Sequence, residues 1–521
     1  MRQEGEKYLA SEGRRNLVGI VSGEASPSGF DYLAEKPSRV GEYVTVEALE
    51  GNVLGLVEAS RVSSDLLNSA TNFQSAQEAK KVASSNPRDK RNLASVRVLG
   101  LLDYLRKGGS NLPSLPPEPG SEVFAATPSE LKDVFSRDDK GWAKVGTLLR
   151  NENVPVSVNV NRLASRHLGI LAATGSGKSN LLALLAKRLS DVKGTLVIFD
   201  YQGEYSDLKL SSIVHLKARI NPRLLDVEMF ADVLDVRTKA ERQRSVLNRV
   251  FTEGVRQAKD FWGALLESLT NLIASDTSKA EEKRIAERLT EIVERARRRK
   301  GAILDPDIGD PVDQLKPNQV NVLNMLELTE MQASIVISYY LDEVLEDRKK
   351  ARRYRLSGRE DKSERIRFMA PVVFAIEEAH SFLPNDRDTD AKYVASKVAR
   401  EGRKFGVALI VVSQRPSRLD SDVLSQMGSL AVSRITQPKD QSYIIESSEL
   451  VSEELASYLP SLNVGETVLL GQWVTLPSLA KIDKVEEKLM GADIDAVAEW
   501  SERAKVESIA AGTTSDSIRE E

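Results

Sequence analysis

Leu171-Ala-Ala-Thr-Gly-Ser-Gly-Lys-Ser-Asn180 decides how the rest of the chain is read. A short apolar run, Leu168 to Leu171, leads into it, and Leu181-Leu-Ala-Leu-Leu-Ala-Lys-Arg-Leu189 follows it. Buried strand, glycine-rich loop and amphipathic helix, in that order, are the setting of a phosphate-binding P-loop. Gly175 and Gly177 let the backbone curl so that its N–H groups point inward at a helix N-terminus. Thr174, Gly175, Ser176, Gly177, Lys178, Ser179 and Asn180 are therefore the expected nucleotide contacts. Lys178 would reach the β- and γ-phosphates of ATP, and the Ser179 hydroxyl would bind Mg²⁺. The first loop position, where glycine is usual, is Ala172, the smallest substitute.

Composition bounds the rest. A chain of 521 residues is too long for one simple domain. No apolar run reaches the roughly 18–20 residues of a membrane span, and the start, Met1-Arg-Gln-Glu-Gly-Glu-Lys, has no apolar segment of a secretory signal. The absence of cysteine excludes disulfides and thiolate metal sites and fits a cytoplasmic enzyme. A net charge of −4 means that any nucleic-acid contact must come from a local basic surface.

Upstream of the loop, Leu17-Val-Gly-Ile-Val-Ser, Tyr43-Val-Thr-Val-Glu-Ala-Leu and Asn52-Val-Leu-Gly-Leu-Val-Glu have strand lengths and are punctuated by Pro27, Gly29, Pro37, Gly41 and Gly51. Further strands are expected at Ser95–Leu102 and Glu122–Ala126, with a polar helical interval from Asp65 to Lys81. Residues 1–150 read as a small N-terminal β-barrel. Strand–helix alternation then predicts an α/β core with a mainly parallel sheet over 151–225 and 301–490. Glycine and proline almost vanish between Asp226 and Lys300, where three or four helices form an expected insertion over 226–300. A long helix is expected from Thr329 to Arg353, and residues 491–521 form a polar C-terminal extension.

Val373-Phe-Ala-Ile376 followed by Glu377 and Glu378 is a second nucleotide signature. A carboxylate at the end of a buried strand beside a P-loop can hold the metal's water shell, and its neighbour can orient or deprotonate the attacking water. Glu377 is assigned to the metal and Glu378 to the water. Val412-Ser-Gln-Arg-Pro-Ser417 ends the next strand, so Gln414 would lie beside the catalytic acid and report the γ-phosphate. The basic run Arg348–Arg355 either lines a DNA-tracking pore or is a charged helix end balanced by Glu343, Glu346 and Asp347.

Four stretches together resemble the HerA family of the HerA–FtsK ATPases: Ala173–Asn180, Phe199-Asp-Tyr-Gln-Gly-Glu-Tyr205, Ile376-Glu-Glu-Ala-His380 and Ser413-Gln-Arg-Pro-Ser417. Val18-Gly-Ile-Val-Ser-Gly-Glu-Ala-Ser-Pro-Ser28 and Arg39-Val-Gly-Glu-Tyr-Val44 are similar to that family's barrel. Tyr201-Gln202 stands where the family commonly has Pro-His. The resemblance implies a RecA-like fold and a homohexameric ring that moves double-stranded DNA in end resection for double-strand break repair. It implies a NurA-type nuclease as partner, with the archaeal recombination nuclease complex as a further one. It places Asp200 at the metal shell or γ-phosphate, and it calls for an arginine from a neighbouring subunit, with Arg403 as first candidate and Arg166 as second. Two rivals remain: a membrane-associated conjugation or packaging ATPase, and a nucleotide-regulated nuclease scaffold.

Overall fold

Alternation of apolar and polar residues closes the first six strands on themselves. They are β1 (Leu17–Ser26), β2 (Gly29–Ala34), β3 (Tyr43–Ala48), β4 (Gly51–Ser64), β5 (Lys90–Leu101) and β6 (Glu122–Ala125). All pair antiparallel in the closed order β1-β2-β5-β4-β3-β6. The period of two sends Phe30, Tyr32, Ala94, Val96 and Val98 to the interior, where they meet Val46, Val53 and Val123. Closure also leaves the barrel without an open edge. The computed structural model describes residues 15–487, apart from 87–88, 110, 235, 237–239, 301–302, 358–364 and 449. The extension expected over 491–521 lies outside the described residues.

The second sheet has eleven strands. They are β7 (Trp142–Leu148), β8 (Asn151–Asn159), β9 (Leu168–Leu171), β10 (Thr195–Asp200), β11 (Ile213–Lys217), β12 (Val320–Asn324), β13 (Val372–Ile376), β14 (Val407–Ser413), β15 (Ser429–Val432), β16 (Glu466–Gly471) and β17 (Ser478–Ile482). From β11 through β12, β10, β13, β14 and β9 to β15 every pairing is parallel. Every residue of β9, β10, β13 and β14 is buried, which is why these strands read as unbroken apolar runs. On the far side β15-β16-β17-β7-β8 is antiparallel.

Several expectations are corrected. β7 falls on the barrel side of residue 150, yet it pairs with β17 and β8 of the large sheet. Among the described residues the insertion holds five helices, not three or four: Val227–Val233, Glu241–Val250, Glu253–Gln257, Phe261–Ala274 and Ala280–Lys300. The extra breaks come from side-chain caps, Thr252 accepting from Val255 N–H and Asp260 from Gly263 N–H. The long helix runs Glu330–Ser357; of its basic run Arg348 is buried, whereas Arg352, Arg353 and Arg355 are exposed. Buried Arg348 donates to the Phe405 and Phe368 carbonyls at 2.9 and 3.0 Å, and Arg352 to Lys404 O. Lys349 pairs with Glu346 and Glu401. Arg348, Lys349 and Arg352 clamp the helix to its neighbours; of the balancing acids expected for a charged helix end, Glu346 meets the run through Lys349, while Glu343 pairs with Arg367 and Asp347 accepts from backbone N–H groups.

The barrel is seated on the antiparallel side of the large sheet. Tyr43 Oη donates to Pro477 O at 3.1 Å, Ser452 Oγ to Glu58 at 3.1 Å, and Arg150 to Val40 O and the Tyr458 hydroxyl.

His167 locks the entry to β9. Its Nε2 lies 3.0 Å from Ala399 O, and Nδ1 accepts from Leu409 N–H at 3.0 Å, which fixes the neutral tautomer. Burial pushes its pKa down to about 4. Below the unfolded value of 6.5 the unfolded chain binds a proton that the folded chain refuses, so stability falls as pH drops from 6.5 towards 4. Between pH 6.5 and 5 this group alone should remove about 2 kcal/mol. Denaturant midpoints at pH 7 and pH 5 check it: His167→Gln should be less stable at pH 7 but lose visibly less than the wild type at pH 5.

Candidate active site

Parallel pairing in register brings the chemistry-bearing residues to one edge. Phe199 pairs with Ile376, Ile376 with Val411, and Ser413 with Leu171. The residues that follow, Asp200, Glu377-Glu378, Gln414 and the glycine-rich loop, therefore emerge side by side at the strands' C-terminal ends. Ala172 is accommodated without exposure, its N–H donating to Ser413 O at 3.1 Å. Gly175 and Gly177 have φ of 73° and 104°, a region costly for any side chain. Gly177 caps the helix Lys178–Asp191 with no side-chain bond, leaving the first-turn N–H groups to a ligand. The Ser176 hydroxyl closes the loop onto Ala173 O, so this residue offers a ligand its backbone rather than its side chain.

Lys178, only 5% exposed, sits among three carboxylates. Its Nζ is 3.0 Å from Glu378 Oε1, 3.8 Å from Glu204 and 3.9 Å from Glu377. Burial alone would lower its pKa, but Glu378, then Glu204 and Glu377, hold it above the ordinary lysine value. Glu377 is fully buried, and neither of its carboxyl oxygens has a hydrogen-bond partner. Burial first, then Glu204 and Asp200, push it up to about 8 against the pull of Lys178. Asp200 is raised by burial too; its Oδ2 accepts from Tyr205 N–H at 3.0 Å while Oδ1 is buried without a partner. The Tyr205 phenol, fully buried, adjoins the Ser179 hydroxyl, and its own pKa is raised by burial and by these acids.

Glu378 stands at φ 48°, ψ 42°, a left-handed backbone rare for glutamate and typical of strain held at functional sites. Gln414 Nε2 donates to Glu378 Oε1 at 2.6 Å, and the Thr174 hydroxyl donates to Gln414 Oε1. An amide whose oxygen is taken by a donor must turn its N–H to the carboxylate, so Thr174 fixes the orientation of Gln414. His380 Nδ1 lies 3.4 Å from Glu378 Oε2 and from Ser413 Oγ, beside the acid pair as a hydrogen-bonding neighbour.

The unpartnered Asp200 and Glu377 oxygens, on carboxyls raised first by burial, form the surroundings that a hard divalent cation relieves. Among the described residues no three acidic or histidine side chains would hold a metal by themselves. That suits Mg²⁺, which takes one or two protein oxygens and completes its shell with phosphate and water. The arrangement can bind a nucleoside triphosphate, polarise it with Lys178 and a divalent ion, and aim a water from Glu378.

Three expected residues stand apart. The Asn180 amide donates to Asp483 O at 2.9 Å and accepts from Val485 N–H at 2.9 Å, so its side chain anchors the segment after β17 instead of contacting nucleotide. Arg166 and Arg403 precede β9 and β14 and lie at the opposite end of these strands from the loop. They cluster there with Arg162: Arg166 is pushed down by burial, then by Arg403 and Arg162. No described carboxylate pairs with any of the three. Glu204 and Tyr205 were not assigned from sequence, although Phe199–Tyr205 was singled out; an acid and a tyrosine four and five residues after a strand-end aspartate were the available signal.

The family described as "Helicase HerA, central domain" matches residues 143–344. The chain is 35% identical over 512 residues to the DNA double-strand break repair helicase HerA of Saccharolobus solfataricus, covering 95% of this chain and 98% of that protein. It is 37% identical over 503 residues to the protein of the same name from Sulfurisphaera tokodaii, covering 94% and 97%. The corresponding protein of Pyrococcus furiosus is 32% identical over 543 residues, covering 93% and 97%.

Asn180→Ala tests the reassigned side chain. Loss of two hydrogen bonds should cost about 2 kcal/mol of stability, read as a lowered denaturant midpoint, while affinity for MgATP stays within about 2-fold. A large loss of affinity at unchanged stability would return Asn180 to the nucleotide.

Proposed function

Because the chain belongs to the HerA helicase family, we propose that it is an ATP-driven double-stranded DNA translocase working as a homohexameric ring with a NurA-type nuclease in end resection. It is a P-loop ATP hydrolase and a DNA-repair helicase by family. The observation that carries the hydrolytic reading is Lys178 Nζ 3.0 Å from Glu378, with Asp200 and Glu377 carrying unpartnered oxygens beside them.

In this reading the loop N–H groups and Lys178 hold the β- and γ-phosphates. Ser179 and Glu377, with Asp200 beside them, would hold Mg²⁺, which supplies charge neutralisation on the phosphate oxygens. Phosphate competes with Glu378 for Lys178. Glu378 then turns to the water while Gln414, oriented by Thr174, keeps hold of Oε1. Arg403 and Arg166 sit a strand's length from their own loop and lack acidic partners, which supports their use at a neighbour's site.

Among the described residues no helix is long and apolar enough to cross a membrane, so nothing described supplies the anchor that the conjugation or packaging rival would use. A nucleotide-regulated scaffold has no need of a water-directing acid, and the left-handed backbone of Glu378 supports the hydrolytic reading over it.

The test is steady-state ATP hydrolysis with and without linear duplex DNA, with particle size followed by light scattering. Glu378→Gln should cut turnover by about 10²–10⁴-fold with the assembly intact and ATP still bound. Unchanged turnover would mean that the water is directed by another group. Arg403→Ala and Arg166→Ala should each lower turnover, the residue acting across the boundary by roughly 10³-fold or more. Mixed with Glu378→Gln subunits, that variant should recover activity only at interfaces that pair an intact arginine with an intact glutamate. Robust hydrolysis indifferent to DNA would favour the protein-pumping rival.

A further inference from the structure

The segment after Gln414 turns sharply and carries two arginines outward. Arg418 N–H donates to Arg415 O at 3.1 Å and Leu419 N–H to Pro416 O at 2.9 Å, forming one turn of 3₁₀ helix, Pro416–Arg418. The turn is staked on every side. Ser417 N–H donates to Asp440 Oδ1 at 3.0 Å, Asn385 Nδ2 donates to Ser417 O, and Asn385 N–H donates to Arg418 O at 2.9 Å. Pro416 is buried beneath it, whereas Arg415 and Arg418 are exposed. Lys439, exposed, starts the helix Pro438–Ser447 that packs on this turn.

None of these three cations has a described ion-pair or hydrogen-bond partner for its side chain. Their neighbours differ: Lys392 is paired with Asp388 and Asp420, and Arg387 with Glu330. The unpaired group is electrically continuous with the hydrolytic site. Burial, opposed by Glu378 and helped by Arg415 and Arg418, keeps His380 below the ordinary histidine value, and His380 faces Glu378. It is also covalently continuous with Gln414, the residue that grips Glu378 Oε1.

We propose that Arg415 and Arg418, with Lys439 beside them, contact the phosphate backbone of duplex DNA, and that this contact is relayed through Gln414 to Glu378. The inference rests on the translocase reading above. A guanidinium fork matches phosphate oxygens in pairs, and a preorganised turn loses little freedom on binding. The acid nearest to them, Asp440, is buried and accepts from Ser417 N–H, so three exposed cations without an ion-pair partner fit a row of phosphates better than a single partner carboxylate, and backbone contact requires no sequence. A phosphate that draws on Arg415 pulls the residue next to Gln414. The turn is tied at Ser417 and Asn385, so the freedom to respond lies at Gln414 and Glu378. DNA engagement would thus reach the water-directing carboxylate within two residues.

The experiment uses the full chain, a fluorescent linear duplex, and binding measured across a salt series beside DNA-stimulated ATP hydrolysis. Arg415→Ala/Arg418→Ala should flatten the slope of log Kd against log salt by about 1.8, at roughly 0.9 per phosphate contact, and abolish stimulation. Arg415→Lys/Arg418→Lys, which keeps the charge but not the fork, should restore most of the slope. Lys439→Ala, on a separate helix, should flatten it by about 0.9; this arm decides the matter if the double variant fails to assemble. If the wild type binds and is stimulated by duplex while the variants keep its slope and stimulation, the inference is wrong and the translocase reading stands. If the wild type itself neither binds duplex nor responds to it, the translocase reading fails first.

Discussion

An ammonium group as buried as that of Lys178 persists only where carboxylates surround it, and in this chain three of them do. That requirement orders much of the rest. Glu204 must come back over the sheet edge after β10, so the Phe199–Tyr205 segment curls and Asp200 accepts from Tyr205 N–H. Glu378 must turn towards Lys178 at the end of a straight buried strand, so its backbone adopts a left-handed conformation. The same crowding raises Asp200 and Glu377, because burial and one shared lysine leave their ionised forms poorly compensated. A divalent ion entering with phosphate would relieve that cost.

Much of this site was legible because its parts are local. A run of four to seven buried apolar residues followed at once by an acid or an amide announces both the strand and what it presents, as at Ile198-Phe199-Asp200 and Val373–Glu378. The glycine-rich loop needs only its own residues and the following helix to be read. The chain could not declare in the same way what meets these residues from far away. Asn180 has the polarity expected of a P-loop neighbour, but its amide is taken by the backbone some three hundred residues later. The pairing of β7 with β17 joins segments equally distant, and no local pattern separates a barrel strand from a sheet strand.

Other elements escape a sequence reading for local reasons. β11 is an edge strand whose five residues are all half-buried or exposed, His215 and Lys217 among them, so no apolar run marks it. β12 carries Asn321 inside, where its amide donates to three backbone carbonyls; a polar residue interrupts the pattern because it serves the sheet's own connections. In the basic run of the helix Glu330–Ser357, charge was visible but its destination was not: Arg348 is spent on the carbonyl of Phe405, at the end of a neighbouring helix, and on that of Phe368, in the loop before β13. Arginine thus plays three parts here: internal clamp, exposed turn beside Gln414, and unpaired cluster at the far end of β9.

The antiparallel ribbon of β16 and β17 touches both ends of the molecule. At one end Gly465 N–H donates to Ser176 O of the phosphate loop, while Gly465 O accepts from Ile482 N–H. At the other, the segment leading into β17 receives the Tyr43 hydroxyl, and Leu479 O accepts from Leu149 N–H. Mechanically this is a stiff spoke running from barrel to nucleotide loop, with hydrogen bonds at both hubs. The ribbon thus ties the barrel's seat and the phosphate loop into one hydrogen-bonded path through two adjacent strands.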